Sequence, residues 1–129
     1  MSKSHETDET HETNETDGLN ELNRSGGPRV QALDVAQVAP REVAPGVVSR
    51  RLTRTDHARG WLIDFAPGSE WPEVDVHTEE ERYYVISGEI IDGDGVFGAG
   101  SYVVFDAGTS HRPRSVTGAR MLGVSIRVP

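Results

Sequence analysis

From Val30 onward, apolar and polar positions alternate in short runs that Gly, Pro and Asp interrupt at close intervals. "GVVSRRLT" from Gly46 reads as a strand, and "GWLIDFA" puts Trp61, Ile63 and Phe65 on one face of another. "YYVISGEIID" is followed by a turn at Gly93 to Gly95, and "SYVVFD" resumes a strand pattern from Ser101. The chain closes with "ARMLGVSIRV", where Leu122, Val124 and Ile126 alternate with Gly123 and Ser125. "DVAQVA" predicts a short helical turn, and no other stretch sustains the helical period of about 3.6 residues. Many short strands at regular spacing predict an all-β domain, sandwich or barrel, over residues 28–129.

The first part of the chain has a different texture. "HETDETHETNET", from His5 to Thr16, is an imperfect six-residue repeat without an apolar residue. Ordering such a segment costs conformational entropy and buries nothing in return. Residues 1–27 are therefore expected to be a disordered, acidic, low-complexity tail, dispensable for folding.

Charge follows the same division. The formal net charge is −8, and residues 1–23 hold seven acids against Lys3 alone. The remainder balances 14 acids with 12 arginines, so no basic stripe exists for nucleic acid. No apolar run approaches the roughly 18 residues of a membrane span, and the polar N-terminus does not read as a secretory signal. A cytoplasmic protein is the default expectation. With no cysteine, thiolate nucleophiles and iron–sulfur clusters are excluded. With no lysine beyond Lys3, the domain has no amine for a Schiff base.

Two motifs fail on inspection. Gly93 to Gly98 matches the letters of a dinucleotide-binding loop, but a strand pattern follows where a helix N-terminus is needed. "DGDG" opens like a calcium loop, yet the position for the bidentate acid is Val103. A glycine-rich hairpin is the better reading.

The stretch "VDVHTEEERYYVISGEI", Val74 to Ile90, threads acids and a histidine through a strand pattern. Asp75 and His77, two apart in a strand, share a face with Cα atoms about 6.6 Å apart, near enough to serve one ion. Glu81 can join them only if the chain folds back across "TEEE". Of the remaining domain histidines, His111 opens a strand after a tight turn at Gly108, whereas His57 reads as a surface-loop residue. Glu79 and Glu80 read as a solvated turn.

At this point the chain resembles the cupins, whose motifs are G-x5-H-x-H-x(3,4)-E-x6-G and G-x5-P-x-G-x2-H-x3-N. Asp75 takes the first histidine slot, His77 the second, Glu81 the glutamate and Gly88 the closing glycine. Gly100, Gly108 and His111 match the second motif, with Asp106 in place of the proline and Ser115 in place of the asparagine. "FAPGSEWP" and "SHRPRS" are similar to the ChrR-type branch, which includes a zinc-dependent anti-sigma factor and acetylacetone-cleaving dioxygenases.

The resemblance implies a jelly-roll β-barrel, often a homodimer, with a divalent metal held by Asp75, His77, Glu81 and His111. Two imidazoles and two carboxylates make a hard, formally neutral shell that favours Fe(II), with Mn(II) or Zn(II) as alternatives. If Asp75 instead hydrogen-bonds a ligand, His77, Glu81 and His111 remain as a 2-His-1-carboxylate triad. If the lost histidine marks a degenerate barrel, no metal is bound.

Around this set, Tyr83 shares parity with Glu81, as core filler or as a phenol over the cavity. Glu73 and Tyr83 are candidate proton carriers, and Trp71, Tyr83 and Arg112 are candidate substrate contacts, with Arg114 beside them. The expected function is a metal-dependent enzyme for a small organic molecule, an oxygenase first. The alternatives are a non-redox isomerase, cyclase or hydrolase, and a non-catalytic sensing module.

Overall fold

The computed structural model describes residues 19–22 and 27–127. Thirteen strands follow in order: β1 (Leu19–Leu22), β2 (Val30–Leu33), β3 (Arg41–Ala44), β4 (Val47–Arg54), β5 (Ala58–Phe65), β6 (Ser69–Glu70) and β7 (Asp75–Val76). Then come β8 (Glu80–Asp92), β9 (Gly95–Gly98), β10 (Tyr102–Phe105), β11 (Ser110–His111), β12 (Arg114–Ser115) and β13 (Ala119–Ile126). A 3-10 turn, Val35–Gln37, stands where "DVAQVA" predicts one, and Asp34 caps it by accepting from the Ala36 amide at 3.1 Å.

Nine strands form one sheet in the order β3-β4-β5-β13-β8-β12-β6, with β9 and β10 also paired to β8. β7 and β11 make a separate antiparallel pair. The result is the expected all-β jelly-roll barrel. Its described pairings are all antiparallel, so alternate residues point to the barrel interior.

The interior is built from Val47 of β4, Trp61, Ile63 and Phe65 of β5, Tyr83, Val85 and Ile90 of β8, and Met121 of β13. Each such side chain contributes roughly 1.5–3 kcal/mol when fully buried. On β13 the inward set is Ala119, Met121, Gly123 and Ser125, while Leu122 is 38% exposed on the outer face. Gly123 sits directly between Trp61 and Tyr83 on the two flanking strands, where a Cβ would make ordinary contact with the Trp61 ring at 3.7 Å.

β8 carries a bulge. Arg120 pairs with Ser87 but Met121 with Val85, so Ile86 is the extra residue. Glu81, Tyr83 and Val85 face inward before it, and Ile90 and Asp92 face inward after it. Gly88 completes the bend at φ +74°, where a Cβ would lie 1.9 Å from the Gly118 carbonyl oxygen. No larger residue fits there. The hairpin reading of "GDG" also holds: Asp92 pairs with Gly95 across Gly93, φ +58°.

β1 lies inside the stretch expected to be unstructured. Leu19 and Leu22 are the first apolar residues after Met1, and Leu19–Leu22 pair antiparallel with β2. The repeat from His5 to Thr16 lies outside the described residues.

Candidate metal centre

Asp75 stands on β7, with His77 one residue beyond its end, and β11 brings His111 directly opposite Asp75. The turn before β11 is fixed by Gly108, φ +96°, whose amide donates to the His77 carbonyl at 2.8 Å. The His77 amide in turn donates to the Thr109 carbonyl at 2.8 Å. The chain folds back after His77, and Glu81 at the start of β8 turns inward. This reversal is the one the spacing of Glu81 requires.

The four side chains are buried, three of them at no more than 1% exposure and His111 at 7%. Among the described residues, they are the group of metal-binding type whose ligand atoms all fall within 4.8 Å of one another. Glu81 Oε1 is 3.4 Å from His111 Nε2, and Glu81 Oε2 is 3.6 Å from His77 Nδ1. Asp75 Oδ2 is 3.9 Å from His111 Nε2. These separations are long for hydrogen bonds. Two atoms each about 2.1 Å from one ion lie about 3.0 Å apart at a right angle and about 4.2 Å apart when opposite. The three separations of 3.4–3.9 Å fall in that range, so the cluster could hold a metal ion, with Asp75 on its wall. Both nitrogens of His77 and Nε2 of His111 are buried without a hydrogen bond, a costly state that a bound ion relieves at one nitrogen of each ring.

A second layer orients His111. Its Nδ1 lies 2.7 Å from Asp92 Oδ2, and the Tyr83 hydroxyl donates to the same oxygen at 3.0 Å. A proton on Nδ1 directed at Asp92 leaves Nε2 as the atom facing Glu81 and Asp75. Phe105 packs against both imidazoles, with ring centroids 4.4 Å from His111 and 5.3 Å from His77. Tyr83 also leans on Phe105 at 5.7 Å. Tyr83 is thus both core filler and hydrogen-bond donor.

Burial pushes His77 down to about 4, against the opposing pull of Glu81. Burial alone would lower His111 too, but its contacts with Asp92 and Glu81 prevail and raise it to about 9. Burial would raise Glu81, yet its contact with His111 and the nearby His77 holds it below the usual carboxylate range. Burial, reinforced by the Asp92 carboxylate, pushes the Tyr83 phenol up, so it stays a neutral donor.

The other candidates fall in varied places. Trp71 is buried, its amide donating to the Pro113 carbonyl at 2.9 Å. Arg112 donates to the Trp71 carbonyl at 2.8 Å and the Pro72 carbonyl at 3.0 Å, and lies 3.6 Å from Glu70. These contacts give it a structural task at the segment leading into Asp75. Glu73 is exposed on that segment, Arg114 is exposed on β12, and His57 is exposed in the β4–β5 turn. Glu79 is a correction: it is no solvated turn residue. Arg59 donates to it at 2.9 Å and Ser125 at 3.1 Å, and only 19% of its side chain is exposed. Asp92, Phe105 and Arg59 are absent from the set that sequence patterning identifies.

Residues 29–125 match the family model described as the ChrR cupin-like domain. No curated protein gives a significant match. Among solved structures, the chain is similar to one in the complex of Rhodobacter sphaeroides SigE with the anti-sigma ChrR, at 23% identity and TM-score 0.64. That alignment covers 71% of this chain and only 50% of the other. An RmlC-like cupin from Shewanella frigidimarina aligns at 19% identity and TM-score 0.67, covering 86% and 95% of the two chains. A predicted oxalate decarboxylase from Thermotoga maritima aligns at 22% identity and TM-score 0.66, covering 75% and 99%.

Proposed function

The chain belongs to the ChrR cupin-like family, and on that premise we propose that it is a metal-dependent enzyme acting on a small organic molecule, an oxygenase first. The observation that carries this reading is the convergence of Asp75, His77, Glu81 and His111 in a buried cluster with His111 Nε2 turned inward. Two imidazoles and two carboxylates suit Fe(II), with Mn(II) or Zn(II) as alternatives. Such an ion supplies Lewis acidity and, if iron, a redox centre for oxygen chemistry. The chain's own residues do the rest. Asp92 holds the His111 ring, and Tyr83 holds Asp92 by a hydrogen bond of 3.0 Å. Phe105 forms an apolar wall beside both imidazoles and limits water there. Trp71 and Tyr83 remain candidate substrate contacts, Arg112 a weaker one, and Glu73 and Tyr83 candidate proton carriers.

A non-redox isomerase, cyclase or hydrolase uses the same cluster without oxygen, and fold alone does not choose between them. A sensing module is favoured by one observation, the likeness to the chain in the SigE–ChrR complex. The homodimer belongs to this reading as well. Leu122, Tyr84 and Tyr102 stand side by side on the outer face of β13, β8 and β10, at 38%, 44% and 59% exposure. No described helix is long and apolar enough to cross a membrane, and a cytoplasmic site of action is part of the proposal.

The test is metal content by elemental analysis on anaerobically purified protein, followed by oxygen uptake with a panel of diketones and carboxylates. Iron with substrate-dependent uptake supports the oxygenase. Zinc with turnover but no uptake transfers the reading to the non-redox enzyme, and metal without turnover transfers it to the sensor.

A further inference from the structure

On the premise that the cluster of Asp75, His77, Glu81 and His111 binds a metal ion, we propose that residues 71–78 and 106–113 form a strap that the ion holds closed. In the metal-free protein the strap opens transiently, ahead of the barrel.

The strap is tied at both ends and lies off the main sheet between them. At one end β6 pairs with β12, and β12 also meets β8 through Arg114 and Ile91. At the other end one segment runs from His77 into β8 at Glu80, and the second leaves β10 at Phe105. Between the ends, β7 and β11 pair with each other and, among the described residues, with no strand of the nine-stranded sheet. A side-chain clip closes the first end. The Trp71 amide donates to the Pro113 carbonyl at 2.9 Å, and Arg112 takes the carbonyls of Trp71 and Pro72 at 2.8 and 3.0 Å.

Across residues 72–78 and 106–112 the inner face is polar: Asp75, His77 and His111 are buried, and every other residue is exposed. Val74 and Val76 face solvent at 58% and 52% exposure. An antiparallel strand normally turns its valines inward and its charges outward, and here the order is reversed. These stretches bury no aliphatic side chain, the contribution that binds the other strands to the core. They are held by the packing of Phe105 against both imidazoles and by the 2.7 Å contact of His111 with Asp92. Against this stand both nitrogens of His77 and Nε2 of His111, buried without hydrogen bonds, which water satisfies when the strap lifts.

Metal alters that balance because the cluster is divided. Asp75, His77 and His111 ride on the strap, and Glu81 belongs to β8 of the barrel. An ion held by both parts must be released before the strap lifts, so its binding free energy adds to the cost of opening. Once lifted, a pair of two-residue strands does not persist by itself in water, and its amides exchange.

The experiment follows native-state amide exchange by NMR on the full chain, first metal-free and then with zinc chloride, with zinc stoichiometry measured by elemental analysis. The amides of His77 and Gly108 are both bonded within the strap at 2.8 Å. In the metal-free protein they are expected to exchange at least about tenfold faster than those of β13, without acceleration by low urea, the signature of local opening. With free zinc about a hundredfold above its Kd, both are expected to slow about a hundredfold. Metal-free exchange of His77 and Gly108 at the rate and urea dependence of β13 overturns the proposal, because the strap then opens only with the whole fold. Stoichiometric zinc that leaves both rates unchanged overturns it too, while leaving the metal centre intact. Absence of bound zinc overturns the metal reading itself, and the strap falls with it.

Discussion

Titrating the metal-free protein from about pH 5 to about pH 9.5 exposes the two histidines to opposite linkage. His111 is raised from 6.5 to about 9 in the folded chain. Its folded form holds a proton that the unfolded chain has released, so this stabilisation is fully present below pH 6.5 and lost as pH rises through about 9. A shift of that size corresponds to about 3 kcal/mol. His77 is lowered from 6.5 to about 4, so the unfolded chain takes up a proton that the folded chain refuses. Stability therefore falls as pH drops from 6.5 toward 4, again by about 3 kcal/mol. The two limbs meet near pH 6.5, where this pair makes the metal-free protein most stable. Metal reverses the alkaline limb, because the ion takes the place of the His111 proton that faces Glu81. Apparent metal affinity is then expected to rise about tenfold per pH unit up to about 9, with about one proton released per ion at neutral pH. Urea denaturation followed by the fluorescence of the buried Trp61 and Trp71 measures the first effect. Calorimetry in buffers of different ionisation enthalpy measures the second. A metal-free stability that stays flat between pH 6.5 and 9, with metal affinity independent of pH, would refute the reasoning.

Glu81→Ala and His111→Ala should each lose stoichiometric metal by elemental analysis while keeping β-type circular dichroism, since the apolar core is built by other residues. Asp75→His should raise affinity for zinc or nickel relative to manganese in competition dialysis, because an imidazole replaces an anionic oxygen; an unchanged preference removes Asp75 from the ligands. Asp92→Asn keeps the shape but not the charge that orients His111, and should weaken metal binding about 10–100-fold with little change in fold. Gly88→Ala should cost about 2–4 kcal/mol in urea denaturation, because its Cβ would lie 1.9 Å from the Gly118 oxygen and force the bulge open.

The strands were legible because the barrel buries one face of each. Trp61, Ile63 and Phe65 alternate with less buried neighbours in "GWLIDFA", although Leu62 is buried as well. The candidate metal cluster was legible for a different reason. Asp75, His77, Glu81 and His111 hold fixed spacings around two tight turns, and spacing is what a single sequence displays. Glu79 reads as a solvated residue because "TEEE" looks like a turn. Its partners Arg59 and Ser125 lie 20 and 46 residues away, a distance no local pattern bridges. Leu19–Leu22 escaped notice similarly, since a four-residue strand needs β2 to give it an edge.

Asp92 shows the deeper reason why part of a site stays hidden. Counted in strict alternation from Glu81, Tyr83 and Val85, position 92 belongs to the outward face, where an acid beside a Gly-Asp-Gly turn invites no comment. The extra residue at Ile86 and the left-handed backbone of Gly88 reverse that parity. The same strand then delivers Glu81 into the buried Asp75–His77–His111 cluster at one end and Asp92 behind His111 at the other. Gly88 is the closing glycine of the first motif, and its conformation is what the reversal requires. The motif thus carries the information for Asp92 in its glycine, in a form that only the three-dimensional register of β8 on β13 makes readable.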